Sequence, residues 1–152
     1  MIEIVQGNIL DSKEKYICHQ CNCVTNTAMG LAKNIFIKYP YSNVYKDRIK
    51  FDQAGTIIIS GNGNDQRYII NIMAQVYPGS PKFPDSNYDG TMARIGYFRN
   101  CLNKIKEINN LESISFPFQI GCGMAGGDWN TYSNMIEVFA NNTPAIVKIY
   151  KL

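Results

Sequence analysis

Apolar and polar positions along this chain fall into short blocks with two periods. "IEIV" near the start and "YIC" around residues 15–19 are compact apolar runs of the kind that form strands. "TAMGLAKNIFIKY" then places Ala28, Leu31, Ala32, Ile35 and Tyr39 at helical spacing. Pro40 either stops that helix or begins a second short one over "YSNVYK". "GTIIISG" is a strand bounded by glycines, "NGND" a turn and "RYIINIMAQ" the returning strand, which together predict a hairpin. Residues 78–89, "PGSPKFPDSNYD", hold three prolines and form a loop. The following "GTMARIGYFRNCLNKIKEIN" carries Met92, Ile95, Phe98, Leu102 and Ile105 on one helical face. "SISFPFQIG" is a strand interrupted by Pro117, and "DWNTYSNMIEVF" a helix with the stripe Trp129, Tyr132, Met135, Ile136 and Phe139. "AIVKIY" closes the chain as a strand.

Strands therefore alternate with helices, and several strands are apolar throughout rather than at every second position. Such strands are buried on both faces, which predicts a parallel or mixed sheet between helical layers. In sheets of that kind ligands bind beyond the carboxyl ends of the strands. Two segments lie there: "CNCVTNTAMG" after the second strand and "GCGMAGGDW" after the fifth.

Composition narrows the class. The 152 residues suffice for one domain, 1–152, and 45% hydrophobic with 18% charged residues is the balance of a globular chain in water. No apolar run approaches the roughly 20 residues of a membrane span, and "MIEIVQGNIL" lacks the features of a signal peptide, so no membrane partner is expected. The odd number of cysteines, at 18, 21, 23, 101 and 122, suits a reduced, cytoplasmic chain. The net charge of +3 is spread along the sequence, without the electrostatic footprint of a nucleic-acid binder, yet it is compatible with a small anion.

The stretch 116–130, "FPFQIGCGMAGGDWN", runs from strand to helix through Gly121, Gly123, Gly126 and Gly127. Glycines give up packing and chain entropy, and they let backbone N–H groups converge on an oxyanion beside a helix N-terminus. That is the wiring of a phosphate cradle. It has neither the Lys-Ser/Thr of a Walker loop nor GxGxxG spacing after the first strand.

The ordered set "VQGNIL", "HQCNC", "MGLA" followed by "IKYP", "IGCGMAGGDW" and the terminal "KIYKL" resembles the macro domain family over nearly the whole chain. The nearest-looking branch holds ADP-ribose 1''-phosphate phosphatases, terminal ADP-ribose glycohydrolases and bacteriophage proteins. The resemblance implies a three-layer α/β/α fold with a central mixed, mostly parallel six-stranded sheet, which binds ADP-ribose or a derivative. By position it implies Asn8 and the adjoining Ile9 beside adenine, with Asn8 standing where many members have an aspartate. Asn22 matches the contact to the distal ribose. Ala28, Met29, Gly30 and Leu31 match the first ligand loop. Gly121, Cys122, Gly123, Met124, Ala125, Gly126 and Gly127 match the second loop, around the diphosphate. Tyr150 lies where members place a wall beside adenine. Terminal glycohydrolases have an aspartate where this chain has Ala125, and a lysine after the middle hairpin strand, where it reads "NIMAQVYPG".

The reactive residues are few. His19, the single histidine, is either a structural hydrogen-bonder or, near Asn22, a proton carrier at the distal ribose. Asp128 is an N-cap or an acid beside the second loop. "CHQCNC" does not read as a metal site, because neighbours on one strand face opposite ways, and no cofactor is expected. Cys122 is a small packing residue or, less readily, a nucleophile. One of Tyr77, Phe83, Tyr88 and Tyr97 is a candidate to line the cleft. Two functions follow. One is a metal-independent hydrolase at the distal ribose, led by release of the phosphate of ADP-ribose 1''-phosphate, with a de-ADP-ribosylating glycohydrolase as its alternative, and with His19 or Asp128 managing a proton. The other is a non-catalytic module for ADP-ribose, an ADP-ribosylated protein or a related nucleotide signal. The protein is expected to be monomeric.

Overall fold

Six strands and three helices alternate along the chain in the computed structural model, which describes residues 1–152. They are β1 (Ile2–Gln6), β2 (Tyr16–Asn22), α1 (Gly30–Lys38), β3 (Thr56–Ser60), β4 (Tyr68–Gln75), α2 (Thr91–Lys106), β5 (Ser113–Pro117), α3 (Trp129–Asn141) and β6 (Ile146–Lys151). Single 3-10 turns stand at Ile9–Asp11 and Pro40–Ser42. One sheet contains all six strands in the order β1-β6-β5-β2-β4-β3. Every pairing is parallel except β3 with β4, the hairpin.

The central strands are apolar throughout because both faces are covered. Cys18, Ile70, Ile72 and Ala74 point to the side packed by Phe98, Leu102 and Ile105 of α2 and by Tyr132, Ile136 and Phe139 of α3. Ile17, Cys21, Ile69 and Met73 point to the other side, against Ile35 and Phe36 of α1 and Tyr45. The three layers are thus two helices, the sheet, and one helix with its following loop. The same alternation sends Cys18 and Cys21 to opposite faces, and all five cysteines are free thiols. No helix is long and apolar enough to cross a membrane.

Several boundaries differ from the sequence pattern for local reasons. α1 begins at Gly30, because Met29 is extended and the preceding residues turn around Asn22. The "YSNVYK" segment keeps only the turn at Pro40–Ser42, because the Asn43 side chain accepts from the amides of Tyr45 and Lys46 and ends it. β5 stops at Pro117, and residues 118–121 leave the sheet.

Parallel strands bring their carboxyl ends to one edge. There β2 carries an irregularity: Cys21 is opposite Met73, but Asn22 is opposite Gln75. The turns after β2, β4 and β5 all open on this edge.

Candidate functional site

A cleft of about 410 Å³ lies over the carboxyl ends of β2, β4 and β5. The end of β2 with Thr25 and Thr27, the start of α1, Gln75 with Pro78 and Gly79, and residues 117–125 all line it, with Tyr45 at one side. No Asp, Glu, Lys or Arg is among the lining residues. The polarity of the cleft comes from backbone, amide and hydroxyl groups, the His19 ring and the Cys122 thiol.

Two banks of backbone amides border it. One is the first turn of α1, where Gly30, Leu31 and Ala32 line the cleft and their N–H groups have no intrahelical acceptor. Met29, the cap residue, supplies no side-chain bond either. The other bank is the loop after β5. There the amide of Cys122 bonds to Gln119 O, that of Gly126 to Gly123 O and that of Gly127 to Gly121 O, whereas those of Gly123, Met124 and Ala125 between them bond to nothing. The banks meet above the cleft, where a Cβ at Gly30 (φ +60°) would stand 3.7 Å from Met124 Sδ. Gly121 is required by close approach. Its φ is +75°, and a Cβ there would lie 2.8 Å from the Tyr132 ring and 2.9 Å from the Gln20 carboxamide. Gly123 differs, since a Cβ there meets nothing within 4 Å.

The second loop is held from behind by a buried ion pair. Arg94 of α2 is 2% exposed. It donates through Nη2 to Asp89 Oδ2 at 2.7 Å and through Nε to Asp89 Oδ1 at 3.1 Å. Asp89 also accepts the amides of Val76 (2.7 Å) and Tyr77 (3.1 Å). Arg94 Nη1 reaches Gly79 O at 2.6 Å and Ala125 O at 3.4 Å, so one guanidinium ties the turn after β4 to the loop after β5. Arg94 Nη2 and Gln75 Nε2 both donate to Tyr77 O, and Gln75 Oε1 accepts from Gln20 Nε2 at 2.7 Å. None of these residues stands out in the sequence. Asp89 sits at the end of a polar loop and Arg94 on a helix, where arginines ordinarily face water.

No protein-family model and no curated protein matches this sequence. Solved structures do. The macrodomain of Mycobacterium tuberculosis DarG is 20% identical over all of this chain and 98% of its own, with a TM-score of 0.77. The chain has the macrodomain fold. Thermosipho africanus DarTG in complex with ADP-ribose is 17% identical over 98% of this chain and 41% of its own, with a TM-score of 0.75. A Trypanosoma brucei macrodomain in complex with ADP-ribose is 15% identical over 98% of this chain and 63% of its own, with a TM-score of 0.63. Identities this low establish the macrodomain fold and do not select a branch.

Of the residues singled out in the sequence, the fold gathers Asn22, Met29, Gly30, Leu31, Gly121, Cys122, Gly123, Met124 and Ala125 around the cleft. Asn8, Ile9, Ala28, Gly126, Gly127, Asp128 and Tyr150 are not lining residues. Asn8 is exposed and caps the Ile9–Asp11 turn, with its carbonyl oxygen accepting the Leu10 amide at 2.9 Å. Ile9 is buried against the α1-side core. The Tyr150 hydroxyl donates to Glu14 Oε1 at 2.6 Å and its ring joins the α1-side core. Of the aromatics weighed, none of Tyr77, Phe83, Tyr88 and Tyr97 lines the cleft; Tyr45 and Phe118 do.

His19 is packed among its neighbours. It borders the cleft, but it is 1% exposed and its ring packs edge-on to Phe36. Asn71 donates its amide to Ile58 O, so its oxygen faces His19 Nε2 at 2.7 Å and that nitrogen carries the proton. Burial pulls the ring's pKa down to about 4, against a smaller opposing effect of the Asn71 bond. Asp128 is exposed and caps α3, its Oδ2 accepting from Thr131 N at 3.1 Å and Thr131 Oγ1 at 2.9 Å. Burial, then the nearby Asp128 charge, pushes the Cys122 thiol up to about 11, so it is protonated at neutral pH and donates to Ile120 O.

Two outcomes are expected. Arg94→Met leaves Asp89 buried without its partner and costs about 3–5 kcal/mol of stability in urea unfolding. A loss under about 1 kcal/mol would show that the pair does not hold the loops. The unfolded state protonates His19 near pH 6.5 and the folded state only near 4, so stability falls as pH drops through that window, by roughly 3 kcal/mol in full. His19→Gln, which can still donate to Asn71, should lose most of that pH dependence; equal slopes in both proteins would refute the assignment.

Proposed function

We propose that the cleft binds ADP-ribose, with the diphosphate between the two amide banks. The observation that carries this reading is the presence of two sets of unbonded N–H groups on residues that line one cleft with no carboxylate in its lining. Neutral donors and the α1 dipole attract a dianion, and no acid repels it. The volume of about 410 Å³ lies within the roughly 300–1,000 Å³ usual for small-molecule sites. The two structures above that were solved in complex with ADP-ribose support the choice of this diphosphate over others.

In this reading Asn22, at the end of β2, reads the distal ribose, and adenine extends toward Asn8 and Ile9. The Asn8 carbonyl already serves the Leu10 amide and carries no charge, so adenine is held less selectively than by an aspartate. Gly126 and Gly127 support the cradle from outside the lining. Five free thiols suit a reducing, cytoplasmic setting.

Binding without turnover is the better-supported form. General acid–base chemistry needs a group within reach whose pKa lies near the working pH. Among the lining residues only His19 is of that type, and its ring is buried and bonded to Asn71. Hydrolysis at the distal ribose, led by release of the 1''-phosphate, rests on Asp128, whose Oδ1 takes no part in the cap.

Calorimetry with ADP-ribose should give saturable one-to-one binding. Gly123→Glu should fold normally, because its Cβ meets open space, and weaken binding by about 100-fold or more by placing a carboxylate against the diphosphate. Unchanged affinity in that variant would rule out the cradle. Incubation with ADP-ribose 1''-phosphate should release no phosphate. Release that disappears in Asp128→Asn would instead establish the hydrolytic form.

A further inference from the structure

We infer that Arg48 and Tyr45 form a positioning unit that sets Asn22 toward the distal ribose, an inference that rests on the reading of the cleft proposed above. The starting point is the irregularity in β2. The register with β4 slips between Cys21 and Asn22, and the backbone groups of Asn22 must still be bonded. They find them outside the sheet. The Asn22 amide donates to the Tyr45 hydroxyl at 2.8 Å, and its carbonyl accepts from Arg48 Nη2 at 3.1 Å. The two partners are joined, since the Arg48 guanidinium stacks over the Tyr45 ring at 4.9 Å.

The side chain of Asn22 is set by the same turn. Its oxygen accepts the amides of Val24 (3.0 Å) and Thr25 (2.9 Å), and its nitrogen donates to Thr25 Oγ1 at 3.0 Å. Asn26 ties this turn to the other segment, donating to Tyr45 O and Arg48 O. Every polar atom of Asn22 is thus fixed, and one hydrogen of its carboxamide nitrogen remains for a ligand oxygen.

The Arg48 side chain is 4% exposed, and its Nη2 engages both Asn22 O and Asp52 Oδ2, the latter at 3.0 Å. That nitrogen acts on the residue at the end of the cleft. Arg48 itself is not a lining residue, so its action on a ligand passes through Asn22 and Tyr45.

The test is a thermodynamic cycle read with two ligands: ADP-ribose, and ADP, which lacks the distal ribose. Tyr45→Phe, Arg48→Met and Asn22→Ala are titrated singly, and the first two again in the Asn22→Ala background. Wild type should bind ADP-ribose more tightly than ADP. Tyr45→Phe and Arg48→Met should each weaken ADP-ribose about tenfold and leave ADP within about twofold. In the Asn22→Ala background neither should have a further effect beyond about twofold. Should Arg48→Met not fold, Tyr45→Phe, which removes one oxygen, carries the cycle alone. Equal weakening of both ligands, effects that add to that of Asn22→Ala, or no preference for ADP-ribose in wild type would each overturn the inference and leave the cleft reading standing. A wild type that binds neither ligand overturns both.

Discussion

Asp89 and Arg94 bring opposite charges into a region nearly closed to water, and the edge of the sheet that carries the cleft is arranged around them. A buried charge is tolerable only when its partner and its remaining hydrogen-bonding groups are satisfied. Here the carboxylate takes the amides of Val76 and Tyr77, and the guanidinium takes the carbonyls of Tyr77, Gly79 and Ala125. The demands of the pair therefore dictate the course of two turns. Through Tyr77 O they extend to Gln75 and Gln20 at the ends of the central strands. The glycine loop is not a free tether; one of its carbonyls is held from below.

Against that fixed background the unbonded amides acquire meaning. α3 has an aspartate cap that takes the amide of Thr131, and it begins outside the lining of the cleft. α1 has no such cap, and it begins in the cleft. The amides of Gly123, Met124 and Ala125 are likewise left over after the tight turn has used those of Cys122, Gly126 and Gly127. Both of these sets of free donors lie on residues that line the cleft. No ionised side chain stands in the lining, so its polar groups are neutral donors and acceptors.

The macrodomain fold was readable from the residues to a large extent. Runs such as "YIINIMAQ" are apolar at successive positions, which only a strand covered on both faces tolerates, and alternation with amphipathic helices leads to a layered, largely parallel sheet. The glycine loop was readable too, because bare backbone at the end of a buried strand is costly unless something fills the space. Boundaries were less so. Met29 interrupts the start of α1 because Asn22, seven positions earlier, organises the preceding turn.

The chemistry of individual side chains divides along the same line. His19, Asp128, Asn22 and Cys122 could be named as candidates from residue type and neighbourhood, and the N-cap at Asp128 is a local property that adjacent residues determine. Whether the histidine ring faces a ligand or Asn71, whether Tyr150 faces a nucleobase or Glu14, and whether Arg94 meets water or Asp89 depends on strands and turns far apart along the chain. Sequence alone determined which segments are strands, which are helices and where the backbone is bare, because these follow from periodicity and local sterics. The tertiary structure alone decided which polar groups are buried, bonded or left over, because desolvation and hydrogen-bond partnership exist only once distant segments are packed together.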